Sequence, residues 1–181
     1  MKRIFFVLLL SMIYTQHIEA AIPAAPNRQE GEGPYTQLIL RGVTVIDGTG
    51  APAYGPADVV IEGNRIVNVV VVGSANSPIK EDGRPKLKAG GREINLFGKY
   101  VMPGLIDMHG HIGGDEQGTP AEYVYKLWLG HGITSIRDPG CGNGIDFCAS
   151  EKARSAANQI TAPRIYPYVF FGMGRNTPFT A

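Results

Sequence analysis

Asp107, His109 and His111 occupy alternate positions in the stretch VMPGLIDMHGH, residues 101–111. Neutral imidazoles are ligands for divalent ions such as zinc, and a carboxylate nearby can orient them by hydrogen bonding. On a strand, residues two apart share a face and lie about 7 Å apart along the backbone. Read as a strand, the stretch turns Asp107, His109 and His111 one way and Ile106, Met108 and Ile112 the other, toward an apolar layer. The two imidazoles could then converge on one ion, with Asp107 behind them. His-x-His alone is equally the signature of a surface polar pair. Three neighbours favour a site: the apolar character of the strand, the Pro103–Gly104 turn that introduces it, and the polar, glycine-rich loop 113–118 that follows. Loops of that composition form site rims, which makes Asp115 and Glu116 rim candidates.

Other residues offer weaker chemistry. Asp138 either reaches the rim or makes an Asp-Pro turn with Pro139. Arg137 has the opposite strand parity and is placed to pair with a carboxylate. Gly140-x-Gly142-x-Gly144 follows a strand and opens a helix, as phosphate-binding loops do, but Ile145 breaks the dinucleotide pattern. His131 falls in a helix-to-strand link, at the face away from the site. Cys141 and Cys148 are either a disulfide or two free thiols; seven residues apart with no histidine beside them, they do not make a metal site on their own.

The run from Val101 to His111 closely resembles the first metal-binding motif of the amidohydrolase superfamily, in its imidazolonepropionase- and prolidase-like branch. The resemblance implies that this is the first strand of a (β/α)₈ barrel and that His109 and His111 bind a catalytic divalent metal, zinc foremost, as one or two ions. It also implies a small-molecule substrate: an amide, cyclic amide, lactone or dipeptide. The metal would lower the pKa of a bound water and polarise the bond under attack. Asp107 would support the ligands. The superfamily's other parts are a metal-bridging lysine, two further histidines and an acidic general base. They come from later strands and have no matching positions here.

The elements that must position these residues follow from the chain in order. Lys2 and Arg3, then the apolar run 4–13 and Ala20, read as a signal peptide over 1–20. Gln16, His17 and Glu19 interrupt the run too early for a membrane span, which needs about 20 apolar residues. No cysteine stands at the cleavage point to take a lipid. Export to the periplasm or beyond is expected. Residues 21–36, rich in Pro, Gly and charge, read as a linker. Strands are expected over 38–46, 58–62, 65–72 and 92–97, with Gly63–Asn64 as a hairpin turn. The block 37–100 thus reads as a small β domain of sandwich type, and it resembles the β domain that flanks the barrel in many amidohydrolases.

From Val101 the pattern becomes strand–helix–strand–helix–strand. Thr119–Pro120–Ala121–Glu122 reads as a capping box with proline at the first helical position. A second strand covers 133–137, a second helix 145–158 and a third strand 164–171. Short links between such elements predict parallel strands side by side, with the chemistry at their C-terminal ends.

The fold class is therefore α/β: the first three or so units of an incomplete (β/α)₈ barrel, behind a small β domain. A whole barrel takes about 250 residues, and 81 remain from Val101 onward. The expectation is an N-terminal part of a longer metal-dependent amidohydrolase, inactive alone. The alternatives are an exported metallodipeptidase of Xaa-Pro type and a non-catalytic module that docks on a partner supplying the rest of the barrel. A net charge of +1 favours neither nucleic acid nor a membrane surface as partner. Oligomeric state is left open by the sequence.

Overall fold

The computed structural model describes residues 23–74, 76–112 and 119–168, so the expected signal peptide lies outside them. Three long strands open the fold: β1 (Gln37–Val45), β2 (Tyr54–Glu62) and β3 (Arg65–Val71). β1 pairs antiparallel with β2 and β2 with β3, the latter pair turning at Gly63–Asn64 as the sequence predicts. β4 (Arg92–Asn95) and β5 (Tyr100–Val101) both run parallel to β1. The sheet order is β3-β2-β1-β4, with β5 beyond β4 on the same edge of β1. Val43, Val45, Ala57 and Val59 make its buried centre. The described residues of this half form one sheet rather than two facing ones, and Ile66, Val67 and Val71 stay exposed along β3.

The register between β1 and β2 slips between Leu40 and Val43. Gly42, at φ +70°, takes the left-handed conformation that a bulge demands. Its N–H donates to Asp58 at 3.0 Å. The Asp58 carboxylate is fully buried and also accepts from Arg41 at 2.8 Å and from Arg84 at 2.9 and 3.0 Å. Burial alone would raise its pKa, but the Arg84, Arg41 and Gly42 donors outweigh that and hold it below the usual carboxylate range.

The second half carries β6 (Leu105–Asp107), α1 (Ala121–Gly130), β7 (Ile133–Asp138), α2 (Ile145–Ala156) and β8 (Arg164–Pro167). The three strands are parallel in the order β6-β7-β8, as the alternation of elements predicts. Ile112, Ala121, Tyr125, Ile136, Cys148, Ile160 and Ile165 fill the layer between strands and helices. Burying each large apolar side chain there contributes about 1.5–3 kcal/mol.

Three expectations need correction here. The histidine strand ends at Asp107, so His109 and His111 stand in the loop beyond it and strict alternation does not govern them. Ile106 and Met108 are 64% and 62% exposed on the uncovered face of the sheet, and only Ile112 enters the apolar layer. Pro120 is extended, at ψ 138°, so α1 begins one residue later than a proline at the first helical position requires. Glu122 pairs with Lys126 four residues on.

Residues 23–36, within the segment expected as linker, carry no helix or strand but are fastened to the second half. Ala25 is buried in its core. The Ala25 N–H donates to Glu151, Arg154 donates to the Ala25 carbonyl, and the Arg28 N–H donates to the Gln159 carbonyl at 2.7 Å. Lys126 on α1 reaches Glu30 at 2.7 Å. No helix among the described residues is long and apolar enough to cross a membrane.

Candidate metal centre

The loop carrying His109 and His111 begins where β6 stops. Its backbone is held from three directions. Asp107 accepts the His109 N–H at 2.9 Å. The Gly110 N–H donates to the Arg137 carbonyl at 3.0 Å, and Arg137 donates back to the Met108 carbonyl at 3.2 Å. Gly110 sits against Trp128 of α1: a Cβ there would come within 2.9 Å of the indole ring, so only glycine fits without displacing it.

Asp138 is 1% exposed at the end of β7. Its Oδ1 lies 3.1 Å from His111 Nδ1 and accepts the Gly140 N–H at 3.0 Å. Its Oδ2 accepts the Ile112 N–H at 3.2 Å. Asp138 therefore makes the Asp-Pro turn of one sequence reading and also holds the histidine loop. With Nδ1 engaged by the carboxylate, His111 has Nε2 left as its ligand nitrogen, the pairing by which carboxylates fix the tautomer of metal-binding histidines. Asp107 was the sequence candidate for orienting the imidazoles, yet within the described contacts it braces the His109 backbone and Asp138 holds the His111 ring.

The His109 and His111 ring centres are 5.2 Å apart with planes at 80°. Two imidazoles bound to one zinc at about 2.1 Å and a tetrahedral angle hold their ring centres roughly 5 Å apart. The spacing of the two rings is thus the one that a shared divalent ion requires. Among the described residues no third His, Cys, Asp or Glu donor clusters with both rings, whereas a catalytic zinc takes three protein ligands. Asp115 and Glu116 lie outside the described residues. His131, exposed at the end of α1, places Nδ1 2.7 Å from the Leu127 carbonyl and stands apart from the site.

Cys141 and Cys148 are joined in a disulfide, the first of the two readings the sequence left open. Their sulfurs lie with the Asp138 carboxylate inside a 4.8 Å cluster. Asn143, between them in sequence, donates to the Ile112 carbonyl at 3.1 Å. Among the described residues Arg137 pairs with no carboxylate; it stacks over the Tyr168 ring at 5.0 Å from its centre. Sequence reasoning missed Asn143, and it offered Asp138 a rim position or an Asp-Pro turn but not the contact with His111. The signal for Asp138 was the strand register. Parallel pairing sets Asp107 beside Ile136, which carries residue 138 alongside the histidine loop.

No protein-family model matches the chain. An adenine deaminase of Methanoculleus marisnigri is 41% identical over 93 residues, covering 47% of this chain and 18% of the relative. A dihydroorotase of Trichlorobacter lovleyi is 40% identical over 78 residues, covering 41% of this chain and 15% of the relative. Among solved structures, a prolidase complexed with N-methylphosphonate-L-proline superposes with a TM-score of 0.55 at 27% identity, over 73% of this chain and 31% of the other. The chain spans less than a fifth of the length of these curated relatives and under a third of the prolidase.

Proposed function

Because the chain belongs to the amidohydrolase superfamily and corresponds to its N-terminal part, we propose that it contributes the first metal ligands of a metal-dependent hydrolase acting on carbon–nitrogen bonds. His109 and His111 would hold the ion, with zinc the best match to two imidazoles. Bound there, the metal supplies a water of lowered pKa and polarises the substrate carbonyl or imine-like carbon. The chain's own residues do the positioning. Asp138 holds His111 by Nδ1, Asp107 pins the His109 backbone, and Arg137 ties Met108 to β7.

The observation that carries this reading is the carboxylate–imidazole contact between Asp138 and His111, 27 residues apart and joined at the C-terminal ends of neighbouring parallel strands. That end is where barrel enzymes keep their chemistry. The uncovered face bearing Ile106, Met108 and Tyr166 supports a barrel of which β6 to β8 are the opening strands. The exposed β3 supports a β domain, of sandwich type when complete, that further strands extend. Lys2, Arg3 and the apolar run after them support export, and the disulfide is consistent with an oxidising compartment.

Hydrolysis assays on a full-length barrel containing this segment test the reading, using amides, cyclic amides, lactones and exocyclic amines of purines, with and without a chelator. Chelator-sensitive turnover lost on His111→Ala is expected; turnover indifferent to both overturns it. The 181-residue chain alone should be inactive, and robust turnover by it would contradict its being one part of the catalytic unit. A second reading, hydrolysis of Xaa-Pro dipeptides, is favoured by the superposition on the prolidase. Preference for a dipeptide panel over cyclic amides would select it.

A further inference from the structure

The loop between β7 and α2 does more than connect them. It delivers two hydrogen bonds to the histidine segment's support: the Gly140 N–H to Asp138 Oδ1 at 3.0 Å, and the Asn143 side-chain amide to the Ile112 carbonyl at 3.1 Å. Ile112 follows His111 directly, and Asp138 is the carboxylate that holds the His111 ring. The Asn143 contact thus grips the segment on its carbonyl side, while Asp138 grips the Ile112 N–H.

The loop closes on itself through the Gly144 N–H, which donates to the Cys141 carbonyl at 3.0 Å. It has glycine at 140, 142 and 144, and it lies between two elements, the first ending at Asp138 and the second beginning at Ile145. Glycines carry the largest conformational entropy, so such a loop keeps one shape only if something fixes it. The Cys141–Cys148 disulfide does so. It joins the middle of the loop to Cys148, a fully buried residue of α2. The Cys141 N–H adds a bond to the Tyr168 carbonyl at 3.2 Å.

We propose that the Cys141–Cys148 disulfide is a positioning clamp for the metal centre: it sets the loop that supports Asp138 and Ile112, and through them the His111 imidazole. The proposal rests on the metal-centre reading above. The disulfide is remote from the reacting atoms and has no catalytic part. Reduction by a dithiol transfers two electrons and two protons to the disulfide, giving two thiols and the reagent's own disulfide. It frees the loop without changing any residue that touches the ion.

The test uses the full 181-residue chain and zinc as probe. Zinc affinity is measured by calorimetry for the wild type and for the C141S/C148S variant, with the melting temperature followed in parallel. Hydrogen exchange at the Ile112 and Gly140 amides is measured without metal. The clamp predicts that the variant binds zinc about tenfold more weakly, the lower end of what loss of an outer ligand support costs. Both amides should also exchange faster, at a temperature where the fold is intact. Equal affinity and equal exchange overturn the clamp. If neither protein binds zinc, the metal reading fails, and the exchange data alone then decide the clamp. A second arm adds cobalt(II) to the reduced wild type. The clamp predicts weakened binding without sulfur-to-cobalt charge-transfer absorption. A tighter complex with that absorption would overturn it, because the thiols would then be ligands together with Asp138 rather than supports.

Discussion

Asp138 makes three contacts with two oxygens: it meets a ring nitrogen and accepts two backbone N–H groups, all while 1% exposed. Asp138→Asn keeps the shape but turns one acceptor into a donor facing either an N–H or the imidazole. Zinc affinity should fall 10- to 100-fold, as for other carboxylates that support a metal-binding histidine, and calorimetry reads it. Asp107→Ala removes a single exposed backbone contact and should cost only about 0.5–1.5 kcal/mol of stability in urea unfolding. The order of these two effects separates the present assignment from the one the sequence pattern favours. Gly110→Ala is a further residue-scale test. The added methyl meets Trp128 at 2.9 Å, and relieving such overpacking costs about 1–3 kcal/mol. The ring contact should loosen, which Trp128 fluorescence (the chain's single tryptophan) would report.

At the scale of elements, β1 and β2 enclose a charge that has nowhere to go. Asp58 is fully buried between Arg41 and Arg84, and its carboxyl lies below the usual carboxylate range because those donors overcome its burial. The sign of the pH effect follows. The group is ionised in the folded chain at pH values where the unfolded carboxyl, near 3.9, is already protonating. Its contribution to stability is complete above the unfolded value and disappears as pH falls through the lower folded value. Asp58→Asn should therefore cost about 3 kcal/mol at pH 7, in the range for breaking a buried ion pair, and the difference from wild type should shrink below about pH 4. Denaturant melts at the two pH values check both statements. The strands themselves were legible in the sequence, because β-branched runs and the Gly63–Asn64 turn are local signals. The cluster inside them was not: Arg41 and Arg84 lie 17 and 26 residues from Asp58, and only the sheet brings them together. The same holds for Asp138 and His111. Both ends of that contact were picked out as candidates, but the contact belongs to the pairing of β6 with β7.

On the scale of the whole chain, the stretch read as a linker behaves as a strap. Its composition is that of a linker, and its anchors are single bonds that no local pattern announces: the Ala25 N–H to buried Glu151, Arg154 to the Ala25 carbonyl, Lys126 to Glu30. Deleting residues 21–36 should lower stability by about 1–3 kcal/mol, since Glu151 loses the Ala25 N–H and Ala25 leaves the core. Thermal unfolding of the shortened chain tests this, and an unchanged melting temperature would return the segment to the status of linker. The alternation of strands and helices after Val101, and the parallel order it implies, were legible in full. The extent of the histidine strand was not, because the bonds from Asp107 and Arg137 turn the backbone out of the ladder after Asp107.

Two loop imidazoles, one of them held by a carboxylate from the next strand, are proposed to take up a single divalent ion. Zinc titration by calorimetry, on the wild-type chain and on the H109A/H111A variant, tests it most directly. One ion bound per wild-type chain, with affinity reduced at least tenfold in the variant, is the predicted result. No zinc uptake by the wild type, or equal uptake by both proteins, would contradict it.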